Sequence, residues 1–401
     1  MSIAFRSKIP LLSLIAILAG CAGDSTQSQQ HSAEKVIESS PTESFRKSDN
    51  HLSQTTITLG NRNTLETLYS FPNASDSKET LEQTIEHYLG QRLLRDGITH
   101  GSAEVSIDDR GIYHATLKGD GSNLSEYATQ IPTFLDNGLL AANAVTELKS
   151  QKLWNDEDWR FFLPLGLSII NQRSVQLLHF PPEYSLPDQD YLDSKTSQRW
   201  EKLLELNSVP VNEVTLYESI LDVAPIAAPA SAGSTLSDTY SYFEPYVVKM
   251  LPLLLNIDEG SNNALPIVAY GGPVRSWVKS HFNLDSFGVN SFDTVTIENN
   301  IQAPILGANH PSYIWYAKEN GRAAAFKVMQ QDLVSACWQA KMGIEPSADG
   351  HKTLSNCKSY WTEKPTSVCI NMEIQAFDKS QTEAEALCRD IPEAELKTSL
   401  R

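Results

Sequence analysis

The sequence predicts a layered α/β domain with a mostly parallel sheet at residues 237–345. An α+β region at 57–223 precedes it, and a cysteine-containing extension at 346–401 follows it. Short apolar segments alternate with helical ones in the central part, which is the pattern of strand–helix–strand units. A Pro-, Ala-, Ser- and Gly-rich stretch at 224–236 predicts a linker or surface loop between the two regions.

The N-terminal segment, residues 1–20, has the parts of an export signal. Arg6 and Lys8 give a positive start, an apolar run follows, and Leu18-Ala19-Gly20-Cys21 places small residues before a cysteine. The apolar run is about half as long as the roughly 20 residues that a spanning helix needs. The segment resembles bacterial lipoprotein signal peptides. The alternative is an ordinary secretory signal that leaves Cys21 as a chance thiol.

The resemblance to lipoproteins implies cleavage before Cys21, a diacylglycerol on its sulfur and an acyl chain such as palmitate on its new amine. Two or more chains give stable anchoring, where one chain is marginal. Ala22 follows the cysteine in place of an aspartate, which implies sorting to the outer membrane with the body facing the periplasm. Residues 21–56 are rich in Ser, Gln and Thr and predict a lipidated flexible tether.

The charge of the chain excludes some partners. The formal net charge is −17 at pH 7, and removal of the signal takes away Arg6 and Lys8 but no acid. Such a surface repels nucleic acids and anionic lipid headgroups. We therefore expect no nucleic-acid partner, and contact with the membrane only through the lipid on Cys21. The apolar fraction of 41% is that of a globular chain with a real core.

Four further cysteines lie in the last 65 residues, and an even number in an exported protein favours two disulfides with three possible pairings. Sequential pairing is preferred because it closes the shortest loops. A metal site is the alternative, but the CxxC and CxC spacings typical of one do not occur, so no metal is predicted. The preferred pairs are Cys337 with Cys357 and Cys369 with Cys388.

Hydrophobic periodicity and turn residues predict the individual elements. In the α+β region these are a helix at 78–94, a hairpin of strands 103–107 and 112–117, a helix at 141–148, strands at 167–170 and 175–180, and a helix at 200–206. In the α/β domain they are helices at 242–255, 274–282 and 323–343 and strands at 266–270, 292–297 and 304–307.

The first candidate site is the turn from Tyr270 to Arg275, which joins a strand end to a helix start and contains Gly271 and Gly272. Free N–H groups and the positive end of a helix dipole favour an anion there, and Arg275 could assist. The alternative is that the glycines only make a tight turn.

The second candidate site is the turn after the strand at 304–307. In open α/β sheets ligands bind at the carboxyl ends of strands, so both turns are expected to face one crevice. His310 would be the proton donor or acceptor, and with Arg275 it is the candidate catalytic group. The alternative is a hydrogen-bonded structural histidine. The candidate ligand-binding residues are Tyr270, Gly271, Gly272, Arg275, Asn309, His310 and Ser312.

Two short motifs resemble those of uracil-DNA-glycosylase-like domains. They are His310-Pro311-Ser312 after a strand and Gln331-Asp332-Leu333 on the next helix, within residues 240–345. The resemblance implies the fold and a contact between His310 and a base. The upstream motif of that family has no counterpart here, and the negative charge and export signal oppose work on DNA. The resemblance is therefore used for the fold alone.

No GxSxG, HExxH or Walker motif is present, and no cofactor is predicted. The sequence therefore predicts a lipid-anchored periplasmic protein that binds a small anionic ligand or an envelope partner. Two other classes stay open. One is a periplasmic hydrolase or transferase that uses His310 and Arg275. The other is an assembly factor of the cell envelope that acts through a surface.

Overall fold

The structure is a computed structural model. It describes residues 53–68, 81–95, 98, 100–119, 123–155, 158–161, 172–181, 194–217, 219–255 and 264–389. The predicted signal, Cys21 and the predicted strand at 167–170 lie outside these ranges. None of the helices within them is long and apolar enough to cross a membrane.

The described residues form ten strands and twelve α-helices. The strands are β1 (Ser53–Asn61), β2 (Ser102–Ile107), β3 (Ile112–Gly119), β4 (Arg160–Phe161), β5 (Val175–Leu178), β6 (Ser219–Asp222), β7 (Ile226–Ala227), β8 (Ile267–Tyr270), β9 (Phe292–Ile297) and β10 (Ile301–Ala308). The helices are α1 (Arg62–Leu68), α2 (Leu81–Arg95), α3 (Asn123–Ser150), α4 (Lys195–Glu205), α5 (Gly233–Ser237), α6 (Tyr240–Leu254), α7 (Gly272–His281), α8 (Tyr313–Ala317), α9 (Arg322–Ile344), α10 (Gly350–Thr362), α11 (Pro365–Phe377) and α12 (Gln381–Arg389).

The N-terminal part contains a three-stranded antiparallel sheet in the order β1-β3-β2. The predicted hairpin is confirmed as β2 and β3. Its turn is closed by Asp108, whose Oδ1 accepts the N–H groups of Arg110 at 2.8 Å and Ile112 at 2.9 Å. Gly111 supplies the positive φ of 76° that the turn requires. Because β1 begins at Ser53, the predicted tether at 21–56 runs four residues too far.

The central sheet has the strand order β6-β5-β8-β10-β9. The first four strands are parallel, and β9 pairs antiparallel with β10 at the edge. Side chains along β8 alternate between two cores, with Ile267 and Ala269 in one and Val268 and Tyr270 in the other. Helices α6 and α7 contribute to the first core, and α4 and α9 to the second. The layered α/β fold with a mostly parallel sheet is therefore confirmed.

Two predicted boundaries inside the chain are wrong. Strands β5 and β6 come from the predicted α+β region at 57–223, yet they extend the sheet of the predicted α/β domain at 237–345. The stretch at 224–236 is not a linker between separate regions, because Ala224, Ile226, Ala227 and Ala228 are buried and β7 pairs with β4.

The C-terminal extension consists of α10, α11 and α12 in the described residues. The sequential disulfide pairing is confirmed. Cys337 on α9 is bonded to Cys357 on α10, and Cys369 on α11 is bonded to Cys388 on α12. All four sulfur-bearing side chains are buried. The extension is thus tied to the long helix that packs on the sheet.

Removal of either disulfide is expected to destabilise the protein by about 3 kcal/mol. The two bonds span 20 and 19 residues, so they restrict the unfolded chain to a similar degree. The double variant Cys337→Ala/Cys357→Ala and its counterpart Cys369→Ala/Cys388→Ala should therefore lose similar stability in denaturant unfolding. Mass mapping of peptides from the unreduced protein checks the pairing, and thiol counting on the unreduced, denatured protein checks that the bonds have formed. Four titratable thiols from these positions would contradict it.

Candidate functional site

A crevice with a volume of about 630 Å³ lies at the carboxyl ends of β5, β8 and β10. This is the edge at which ligands bind in open α/β sheets, and the volume is within the range of small-molecule sites. Six of the seven candidate ligand-binding residues line it, the exception being Ser312. The two predicted turns therefore lie side by side.

The first turn joins β8 to the N-terminus of α7. Gly271 has a φ of 86°, and its N–H donates to the carbonyl of Ala308 at 3.0 Å, which fastens one turn to the other. A Cβ at Gly271 would lie 3.6 Å from the Cβ of His310. No side chain caps α7, so the positive end of its dipole faces the crevice between Gly271 and Pro273.

Arg275 lies one turn into α7, and its guanidinium is partly buried in the crevice wall. Its Nη1 donates to the carbonyl oxygen of Ala308. No carboxylate among the described residues pairs with it. Burial lowers the pKa of Arg275 from its ordinary value, although the side chain stays a cation at neutral pH. The Arg275 guanidinium is thus a partly desolvated cation that lacks a counter-ion among the described residues.

His310 follows β10 and is held from one side by Ser312. Its Nδ1 lies 2.7 Å from the Ser312 hydroxyl and accepts the Ser312 backbone N–H at 3.3 Å. Because Nδ1 accepts, the proton of the neutral ring is on Nε2. Burial lowers the pKa of His310 to about 4, and the charges of His179 and Arg199 act in the same direction. At neutral pH the imidazole is therefore a neutral hydrogen-bond donor.

Tyr270 and Asn309 line the crevice, but the Tyr270 hydroxyl and the Asn309 side-chain nitrogen already form hydrogen bonds within the protein. The Tyr270 hydroxyl accepts from Trp200 Nε1 at 2.8 Å and donates to Gln339 at 3.0 Å. The Asn309 Nδ2 donates to Gln331 at 3.1 Å and to Asp332 at 3.0 Å. Both residues shape the wall, and a ligand would meet other groups first.

Sequence reasoning missed several lining residues, among them His179, Tyr313, Lys327 and Gln331. His179 fell inside the predicted strand at 175–180, whereas β5 ends one residue before it, so it lies at a strand end. Lys327 and Gln331 are four residues apart on α9 and share one helix face. The signal for this face was the polar spacing of Lys327 and Gln331 along a helix of which most residues are buried.

The charges that line the crevice have one sign. Arg275 and Lys327 are cationic, His179 and His310 are imidazoles, and no Asp or Glu is among the lining residues of the described chain. The protein as a whole carries a formal charge of −17. Lys327 is exposed and, like Arg275, forms no ion pair within the described ranges. The crevice is therefore a positive region on an acidic protein.

Comparison with known proteins gives no match of any kind: no family model, no curated protein and no solved structure is similar to this chain. The likeness of residues 240–345 to uracil-DNA-glycosylase-like domains stays a prediction.

Proposed function

We propose that this chain is a lipid-anchored protein of the outer membrane whose periplasmic α/β body binds a small anionic ligand in the crevice. The observation that carries the proposal is the partly buried Arg275, which has no acidic partner among the described residues. Removing a cation from water without a counter-ion is costly. A bound anion would offset that cost.

The gain from such an anion is large enough to matter. Two unit charges 4 Å apart attract by about 4 kcal/mol at an effective dielectric of 20, against about 1 kcal/mol in bulk water. The higher energy applies to the partly buried Arg275, and the lower energy applies to Lys327, which is exposed to water. The uncapped N-terminus of α7 and the Nε2–H of His310 add neutral donors beside Arg275. Arg275 is thus expected to supply most of the affinity.

The chemistry of the crevice supports binding over hydrolysis or group transfer. A general base works best with a pKa near the working pH, and the pKa of His310 is lowered to about 4. The lining residues in the described part include no Ser, Thr, Cys, Asp or Glu that could act as a nucleophile. His310 is better suited to donate a hydrogen bond to an anion.

The variant Arg275→Gln is expected to weaken anion binding by about 10- to 100-fold, the value of one charge-assisted hydrogen bond. Lys327→Gln should weaken it by less than about 5-fold, because its charge is solvated. The full chain in detergent micelles would be titrated with inorganic phosphate and, separately, with acetate at constant ionic strength, by calorimetry.

Lys341→Gln is the matched control for Lys327→Gln, because it removes the same charge from an exposed position on the same helix, outside the crevice. It should leave the affinity unchanged. Equal affinity in wild type and Arg275→Gln, or no saturable binding of either anion at millimolar concentration, would contradict the proposed function.

The anchor has its own test. Cys21→Ser removes the thiol that would carry the diacylglycerol, so the protein is expected to leave the membrane fraction of the cells that produce it. Cell fractionation followed by immunoblotting measures this, with the wild type as reference. A variant that remains in the membrane fraction would show that the assignment of Cys21 is wrong.

A further inference from the structure

We propose that the buried ion pair between Arg199 and Asp332 is a positioning device that holds the turn from Asn309 to Ser312, and with it His310, at the crevice. The proposal rests on the anion-binding role above. It concerns two residues behind the crevice wall that would act through His310 without touching the ligand.

The pair is fully enclosed between two helices of the second core. Arg199 on α4 donates from Nη2 to Asp332 Oδ2 on α9 at 2.8 Å, and each side chain is 3% exposed. Nη2 also lies 3.5 Å from the sulfur of Met329. The second guanidinium nitrogen, Nη1, points away from Asp332 and donates to the carbonyl of Pro311 at 2.7 Å.

Asp332 binds the turn from the other side. Its Oδ1 accepts the Nδ2 of Asn309 at 3.0 Å, while Oδ2 accepts Arg199. The pair therefore holds the residue before His310 by its side chain and the residue after it by its backbone. Between these two fixed points His310 has little freedom, and its Nδ1 meets Ser312.

The energetics argue that stability alone does not account for the pair. Withdrawing two charges from water costs more than their mutual attraction returns in many proteins, so a well-packed apolar pair of similar size is often as stable or more so. What an apolar pair could not do is donate to the Pro311 carbonyl and accept from Asn309. Those two contacts are the specific property of Arg199 and Asp332.

The consequence for the crevice is control over the tautomer and direction of one imidazole. With the turn fixed, Nδ1 accepts from Ser312 and the proton is on Nε2. A loosened turn would let the ring rotate and mix the two tautomers, and an anion would then meet an acceptor as often as a donor. At metal sites, loss of a group that orients a ligand from behind lowers affinity or activity by about 10- to 100-fold, and we expect an effect near the lower end of that range here.

The double variant Arg199→Met/Asp332→Leu tests this, because both new side chains are apolar and similar in size to the old ones. It is expected to fold with near wild-type thermal stability. In the ¹⁵N spectrum of the full chain in micelles, the His310 ring signals should change from one protonated and one unprotonated nitrogen to averaged positions. Absence of the signals in His310→Gln assigns them. Affinity for inorganic phosphate should fall by about 10-fold.

The control is Arg173→Met/Glu213→Leu, which removes an ion pair of 3.0 Å whose two residues do not line the crevice. It should change neither the His310 signals nor the affinity.

A folded Arg199→Met/Asp332→Leu variant with unchanged His310 signals would overturn the positioning role even if phosphate binds as proposed. Changed signals in a protein whose wild type binds no anion would overturn the proposed function and leave the positioning role supported. If the double variant does not fold, the signals are read in Asn309→Leu, which removes the contact of the turn to Asp332 and leaves the ion pair in place, and unchanged signals there overturn the role.

Discussion

Asp222→Asn is expected to stabilise the folded protein at pH 7 by at most about 4 kcal/mol. Asp222 ends β6 at the carboxyl edge of the sheet, and both of its carboxylate oxygens are buried with no hydrogen-bond partner among the described residues. Burial raises the pKa of Asp222 to about 8. Folding at neutral pH therefore requires the carboxyl to take up a proton. An asparagine has the same shape and is already neutral, so it folds without proton uptake.

The sign of the pH dependence follows from the raised pKa. Below about pH 4 the carboxyl is protonated in both the folded and the unfolded chain, so it carries no penalty. Between about pH 4 and pH 8 the unfolded chain releases the proton while the folded one keeps it. The wild type should thus lose stability over this window relative to Asp222→Asn, and the two should converge at its acidic end.

Denaturant unfolding at several pH values between 4 and 8 measures the difference. Asp285→Asn is the control, since Asp285 is an exposed acid and its replacement should leave the curve nearly unchanged. Parallel curves for wild type and Asp222→Asn would mean that the buried carboxyl is satisfied in solution, and the prediction would be wrong.

The layered fold could be predicted because its elements carry local signals. The apolar segment at 266–270 and the helix at 323–343 appear as β8 and α9 within one or two residues of the predicted bounds. Strand pairing has no such signal. β5 pairs with β8, which lies about ninety residues further along the chain. The single sheet that joins both predicted regions could therefore not be predicted from the sequence. The stretch at 224–236 shows how composition alone misleads, since alanine and proline suit a tightly buried segment as well as a loop.

The crevice could be predicted in outline for a similar reason. Two turns at strand ends in a parallel sheet must lie at the same edge, so Arg275 and His310 could be placed together from sequence. The hydrogen-bond partners of each group could not be predicted from the sequence. The role of Ser312 is to hold His310 from behind, and the Tyr270 hydroxyl and the Asn309 side-chain nitrogen already form hydrogen bonds within the protein. These facts depend on side-chain contacts between distant segments.

The pairing of Arg199 with Asp332 had no sequence signal, although Asp332 belongs to the motif Gln331-Asp332-Leu333. Arg199 precedes Asp332 by 133 residues, and each residue by itself is typical of a solvated helix face. Only the packing of α4 against α9 shows that both are in the core. Because the pair is buried, removal of either partner alone should have a large effect on the stability of the protein.

Arg199→Met alone is expected to destabilise the protein by about 3–5 kcal/mol, and Asp332→Leu alone by a similar amount. Each single variant leaves one buried group without its partner, and each also frees a contact to the turn, at Pro311 or at Asn309. The double variant leaves no charge unpaired, so its loss should be far smaller than the sum of the two. Denaturant unfolding of the four proteins gives the coupling free energy directly.

The control is the same double-mutant cycle on Arg173 and Glu213, whose side chains are about one third exposed. Its coupling should be below about 1 kcal/mol, as for exposed pairs in general. Additive losses at Arg199 and Asp332, with the double variant as unstable as the sum, would mean that the two side chains contribute independently, and the predicted coupling would be wrong. A strongly coupled cycle with a stable double variant would show that the overall fold does not require the two charges. Their contacts to the turn at His310 would then be what distinguishes them from an apolar pair.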